Sequence, residues 1–331
     1  MPKKTNEVFK LDGILELIKK IKDDIVQTVG QERLYVSFSG GLDSTVVALL
    51  AKDALGSDRV TLLNVCFGPY SFSKGIQAVL SLSAQMGLRL FFIPGEDEQT
   101  ALMYHGPNCN SCTKNIKMGQ VRKFVYKGII ASGANLSDSW GKTGIKFMDG
   151  FYSPLIGLDK VEIRKILEYY GVTIPKIGEN YNREGCKLKH LLKMNVSKDF
   201  HARAVCFSNE VIHDILDQFE YERSIANVKI IGPLSKNIAL VNIKPFPCKA
   251  IQDEIYSVLS SERSINEVWF ADKPIELEIL ANPGIYNNDD SRYWVLNGRI
   301  APEFSCPVTA VWKKSRNSKL YTFAVTGFRY I

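Results

Sequence analysis

Four short apolar runs, each followed by a segment long enough for a helix, constrain this chain more than any other feature. They are RLYVSF (33–38), RVTLLNVCF (59–67), LRLFFIP (88–94) and KGIIASG (127–133). The segments that follow are STVVALLAKDAL (44–55), SKGIQAVLSLSAQMG (73–87), a stretch near 113–126 and GLDKVEIRKILEYYG (157–171). Ahead of them, residues 12–28 set Ile14, Leu15, Ile18, Ile21 and Ile25 on one helical face. Buried strands that alternate with helices predict an α/β fold, a doubly wound parallel sheet with helices on both faces. After about residue 220 the pattern changes. KNIALVNIKPF, VWFADKPIELEIL, YWVLNG, VTAVWKK and LYTFAVTGF read as strands, with one clear helix near 249–260. The expected organisation is therefore a sheet domain over residues 1–200 and a smaller α+β domain over 201–331.

Composition bears on compartment and partners. The 331 residues are 45% hydrophobic and 23% charged, with a net charge of +7. No apolar run approaches the roughly 20 residues that a bilayer span needs, and MPKKTNEVFKL is not followed by a signal-like apolar core. A cytoplasmic protein is expected. The mild basic excess is compatible with an acidic partner without requiring one. Seven cysteines, an odd number, argue against a disulfide framework.

The stretch SFSGGLDS (37–44) lies where the first strand meets its helix. Open α/β sheets bind ligands at that end, where a helix N-terminus offers free N–H groups. Gly40 and Gly41 let the backbone come close to an anion, and Ser39 and Ser44 add hydroxyls. Asp43 suits either a metal ion beside phosphate or a helix cap. No Gly-Lys-Ser/Thr follows, so the loop is not a Walker A loop.

The full Ser-Gly-Gly-x-Asp-Ser string resembles the PP-loop of the N-type ATP pyrophosphatases. IIASGANLSD resembles a later family turn through Gly133, Asn135 and Asp138. SPLIGLDKVEIR resembles a third motif through Pro154, Leu155, Lys160, Glu162 and Arg164. The resemblance implies an enzyme that adenylates its substrate with loss of pyrophosphate, using ATP and Mg2+. The ATP contacts it implies are Ser37, Phe38, Ser39, Gly40, Gly41, Asp43, Ser44, Gly133, Asn135 and Lys160, with Asp43, Lys160 and Cys186 taking part in catalysis.

Cysteines bear on the nucleophile. Cys109 and Cys112 form a C-x-x-C in GPNCNSCTKNIKMG, and Cys186 follows in EGCKLKH. Three thiolates suit a [4Fe–4S] cluster, while zinc completed by His105 or His190, or a redox pair, are the alternatives. The trio resembles the LarE-type sulfur insertases and the TtcA and TtuA tRNA thiolases. That implies an ATP-dependent sulfur transferase acting on a phosphorylated small molecule or on tRNA, with sulfide or a sulfur-donor protein as partner. In the LarE-type pattern, phosphate-binding arginines fall at positions held here by His190, Asn227 and Lys229. A homo-oligomer with no membrane association is expected. An ammonia-dependent amide ligase and a non-enzymatic nucleotide-binding protein are the other classes.

Overall fold

The computed structural model describes residues 3–175, 177 and 185–331, with side chains from residue 13 onward. Glu184, in the segment that carries Cys186, lies outside the described residues. The chain forms two compact units. One comprises residues 1–66, 74–95 and 117–175; the other comprises 67–73, 96–116 and 176–331.

In the first unit α1 (Lys3–Val29) leads into β1 (Leu34–Ser37), α2 (Leu42–Leu55), β2 (Val60–Cys66), α3 (Ser73–Met86) and β3 (Arg89–Pro94). The chain leaves for the second unit through α4 (Glu96–Met103) and the helical turn α5 (Cys109–Ser111). It returns with α6 (Met118–Phe124), β4 (Ile129–Ala131), β5 (Phe147–Met148), β6 (Phe151–Tyr152) and α7 (Lys160–Tyr169). The sheet order is β3-β2-β1-β4-β6-β5, with only the edge strand β5 antiparallel. Ile18, Ile21 and Ile25 of α1 pack with Val46 and Leu50 of α2 and Ile163 and Ile166 of α7 in one core. On a separate core, Val121 and Val125 meet Leu63, Ile93 and Ile130. The doubly wound parallel sheet expected from the alternation is present. Strand order reverses between β1 and β4, so the crevice of an open α/β sheet opens at their carboxyl ends.

The second unit adds α8 (Arg203–Gln218), β7 (Ile225–Ile231), β8 (Ile238–Lys244), α9 (Lys249–Ser261), β9 (Glu267–Phe270), β10 (Ile275–Ala281), α10 (Pro283–Tyr286), α11 (Asp289–Tyr293), β11 (Val308–Lys314) and β12 (Phe323–Tyr330). Its strands make two three-stranded sheets, β7-β8-β9 and β11-β10-β12. Ile231, Ile238 and Leu240 of one share a core with Ile275, Ile279 and Phe323 of the other.

Two local expectations change. VWFADKPIELEIL is two strands, β9 and β10, divided between the two sheets. YWVLNG is helical: Asn288 caps α11 through its side chain and Asp289 and Asp290 fill the first turn, so helix initiation outweighs the strand preference of Trp and Val. Helix α8 has no counterpart in the sequence reading; its Asn209 is buried and its carboxamide is hydrogen-bonded to both the N–H (2.9 Å) and the carbonyl (2.8 Å) of Val228 in β7.

Candidate active site

β1 ends at Ser37, and the loop leaving it is held from β2. The Phe38 N–H donates to the Leu63 carbonyl (2.8 Å), while Asn64 Nδ2 donates to the Phe38 carbonyl (2.7 Å). Gly40 sits at φ +70°, the left-handed region that a side chain disfavours. Gly41 is the N-cap of α2 with extended backbone and no side-chain cap. The opening N–H groups of α2 therefore face outward with the positive end of the helix dipole. Ser44 closes the loop on itself: its hydroxyl donates to the Gly41 carbonyl (3.2 Å), accepts from the Ser39 N–H (3.2 Å) and lies 3.1 Å from the Ser39 hydroxyl. The Ser39 hydroxyl in turn accepts from the Gly41 N–H at 3.3 Å.

Asp43 stands in the first turn of α2, where the dipole favours a carboxylate. Both of its oxygens receive Lys160 Nζ at 2.6 Å, from a residue 117 positions away. Lys160 reaches it from the first position of α7, which is fixed by a capping box. Asp159 Oδ1 accepts from the Val161 and Glu162 N–H groups (2.8 and 2.9 Å), and Glu162 Oε2 accepts from the Asp159 N–H (2.9 Å). Glu162 is thus part of the cap that aims Lys160, a role worth on the order of 1 kcal/mol to the helix. Arg164 is exposed on α7, and Leu155 is buried in the core.

Gly133, just past β4, comes from the other side of the switch point. A Cβ there would lie 2.7 Å from Asp43 Cβ and 3.3 Å from the Ser44 nitrogen, so only hydrogen fits. The turn after it is built by Asn135 and Asp138. Asn135 Nδ2 donates to the Gly133 carbonyl (2.9 Å), and its Oδ1 accepts from the Ser137 N–H and hydroxyl. Asp138 accepts from the Asn135 and Gly141 N–H groups (2.9 and 2.7 Å). Asn135 is buried with its amide engaged at both ends, so it shapes the turn. The structure thus brings together the loop 38–44, Gly133 and Lys160. Asp43 is the carboxylate whose partner is a lysine side chain, whereas the oxygens of Asp138 are held by backbone.

Cys109, Cys112 and Cys186 belong to the second unit. Cys109 opens α5, whose N-cap Asn108 accepts from the Ser111 N–H (3.2 Å), and Cys112 begins a π-helical turn that continues into α6. Arg299 Nη2 donates to Cys109 Sγ at 3.4 Å, and Gln99 Nε2 points at Cys186 Sγ at 3.9 Å. Cys112 and Cys186 are buried, Cys109 partly exposed. Among the described residues no group of three or more His, Cys, Asp or Glu side chains is placed to hold a metal ion. The three thiols do not form an assembled ligand set, so the cluster expected from their spacing has no fitted site here. Neither histidine completes one. His105 stacks on Tyr321 with centroids 4.0 Å apart and its Nδ1 lies 2.9 Å from the Lys319 carbonyl, while His190 Nδ1 accepts from Lys229 Nζ at 2.7 Å. Burial pushes the Cys206 thiol up to about 12, which suits a core residue.

The positions that the resemblance assigned to substrate phosphate turn inward. Lys229 is buried against His190 and also binds Glu303, to which Lys189 contributes a second ion pair. Asn227 Nδ2 donates to the Glu303 backbone carbonyl at 3.0 Å. Burial alone would raise the Glu303 carboxyl, but the Lys229 and Lys189 ammonium groups outweigh it and hold it far below the usual carboxylate range.

The loop, the switch-point crevice and the six-stranded, mostly parallel sheet form an open α/β domain consistent with a PP-loop fold of the adenine nucleotide alpha hydrolase type. Residues 14–122 match the family model described as NAD synthase. Among similar curated proteins, the glutamine-dependent NAD(+) synthetase of Thermotoga maritima is 30% identical over 97 residues, covering 29% of this chain and 16% of that protein. A glutamine-hydrolysing GMP synthase of Vibrio atlanticus is 36% identical over 73 residues, 22% of this chain and 14% of its own length. The corresponding protein of Streptococcus uberis is 29% identical over 96 residues, 29% and 18% respectively. The chain spans less than a fifth of the length of these relatives. No described helix is long and apolar enough to cross a membrane.

Proposed function

We propose that this chain is an adenylating enzyme: it binds ATP at the 38–44 loop, transfers AMP to an oxygen of its substrate and releases pyrophosphate. The observation that carries the reading is the Lys160–Asp43 pair beside the uncapped N-terminus of α2. A triphosphate would receive the helix N–H groups and the Lys160 ammonium, while Asp43 would ligate Mg2+. Mg2+ is commonly held by one or two carboxylates together with substrate phosphates, and one carboxylate free of backbone partners matches that demand. The ion would neutralise the departing pyrophosphate. Lys160 and Asp43 would separate as they do so, each gaining a partner of opposite charge. The test is nucleotide binding by calorimetry. Wild type should bind Mg2+–ATP, and Asp43→Asn should lose the Mg2+ dependence. Binding that ignores Asp43 and Lys160 would remove the reading.

Sulfur is the nucleophile we favour for displacing AMP. The support is a trio of thiols in one unit, two of which receive N–H donors at their sulfur atoms. The substrate would be a phosphorylated small molecule or a tRNA. A second reading, amide formation with ammonia, is favoured by the names of the relatives, which are glutamine-dependent synthetases. Product analysis with ATP and either sulfide or ammonium separates the two. Thioamide or thione product supports the first, and amide product that survives loss of all three cysteines supports the second.

A further inference from the structure

The sheet of the first unit has two edges, and they differ. β5, at one edge, is two residues long. β3, at the other, is six residues long, and its outer side pairs with no strand among the described residues. Folded proteins ordinarily protect such an edge with charge, a bulge or a cover, because its free N–H and C=O groups are a template for another strand. β3 has one charged residue, Arg89, and exposes apolar side chains on both faces. Phe91 is 42% exposed, and its ring lies 5.8 Å from that of Phe124 in α6, itself exposed. Phe92 points to the opposite face and is 38% exposed. On that face Leu90 packs against the core that holds Val79 and Leu82 of α3, a helix without charge from Gly75 to Met86.

Which backbone groups are free follows from the register. β2 and β3 run parallel with Cys66 beside Pro94, and the Gly95 N–H donates to the Cys66 carbonyl at 2.9 Å. Alternate residues of a parallel ladder turn both backbone groups to the same neighbour, so Phe91 and Ile93 face β2 while Leu90 and Phe92 face outward. Pro94, next in the outward series, has no N–H and ends it. We propose that the chain forms a two-fold dimer through β3, joining two six-stranded sheets into one. Run antiparallel, Leu90 of one copy exchanges both hydrogen bonds with Phe92 of the second, and Phe92 does so with the second copy's Leu90. Every outward group of these two residues is then paired. The axis passes beside Phe91, so the two Phe91 rings meet at the closely spaced position and extend the Phe91–Phe124 contact of each copy into one aromatic cluster. Arg89 falls opposite Ile93 of the second copy, so the two guanidinium groups stand at opposite ends and do not meet. The edge is thus complementary to itself in backbone and in side chains, as a two-fold interface requires. This association does not depend on which nucleophile displaces AMP.

The test is the mass of the full chain in solution, followed by light scattering and sedimentation over a concentration series. Wild type should be a dimer that dissociates on dilution. Phe91→Glu removes both central rings and sets like charges opposite each other, so the dimer Kd should rise about a hundredfold or more. Phe92→Pro deletes an outward N–H without touching the pairing to β2, and should weaken the dimer with the circular dichroism of the sheet unchanged. Phe91→Cys needs no loss of fold to be informative. Under mild oxidation it should give a disulfide between the two copies at position 91, identified by peptide mass spectrometry, because this register brings the two Cβ atoms within bonding reach. A monomer throughout the concentration series overturns the proposal. So does a dimer that keeps wild-type affinity in Phe91→Glu, or an oxidised Phe91→Cys protein without the symmetric link.

Discussion

Replacing Lys160 by methionine separates two roles that the geometry assigns to one residue. Methionine keeps the length and apolar stem of lysine but removes the charge. In the structure the ammonium touches both Asp43 oxygens at 2.6 Å, with both side chains about a third exposed (33% and 30%). An ion pair that open to solvent contributes about 1 kcal/mol or less to stability. In a unit of this size that corresponds to a fall in Tm of about 2–4 °C. A charge-assisted contact to phosphate is worth about 1.5–3 kcal/mol, or about ten- to a hundredfold in affinity. Scanning calorimetry and ATP titration on the same preparation therefore give different answers for the two roles. The expected result is a small Tm change with a large loss of ATP affinity. A loss of several kcal/mol of stability with ATP affinity intact would show Lys160 to be a structural tie, and the reasoning would fail.

Gly133→Ala should abolish ATP binding while the protein stays folded, because the new Cβ meets Asp43 Cβ at 2.7 Å; nucleotide titration checks it. Asp159→Ala should cost about 1 kcal/mol through loss of the α7 cap and also weaken ATP binding by unsettling Lys160, measurable by denaturant melts and titration. Lys193→Met should destabilise the second unit by about 3 kcal/mol, since the Pro233 and Lys236 carbonyls and Asn237 Oδ1 lose the buried ammonium that donates to them. Glu303 gives the pH dependence. Its carboxyl is depressed in the fold, so its stabilisation is complete above the ordinary value near 4.5 and declines as pH falls below it. Glu303→Gln should flatten that acid limb in pH-resolved melts.

The parts of the fold built on simple periodicity were readable in advance. β1, β2 and β3 are continuous apolar runs, and α2 and α3 follow them at once, so strand and helix alternate as the sheet requires. The loop was readable because Gly40 and Gly41 interrupt that alternation at a strand–helix junction. What escaped were features decided by contacts distant in sequence. The grip of Lys160 on Asp43 spans 117 positions, and no local spacing signals it. Helix α8 buries Ser208, Asn209 and His213 beside Ile212 and Leu216, so its inward face does not look apolar. Lys229 and Asn227 stand where the resembled family carries phosphate-binding arginines, and that they turn inward is visible only once Glu303 closes over them. Cysteine spacing suggested a shared cluster, yet among the described residues the thiols form no metal-binding group, and what distinguishes Cys109 is an arginine 190 positions away.

The most direct test of the central claim is the identity of the ATP breakdown products. The full chain would be supplied with Mg2+, α-labelled ATP, a persulfide or sulfide source, and pooled small-molecule and RNA fractions as acceptors. AMP and pyrophosphate in equal amounts, absent from the Asp43→Asn protein, are predicted. ADP with inorganic phosphate, or AMP formation that does not depend on Asp43, would contradict the account.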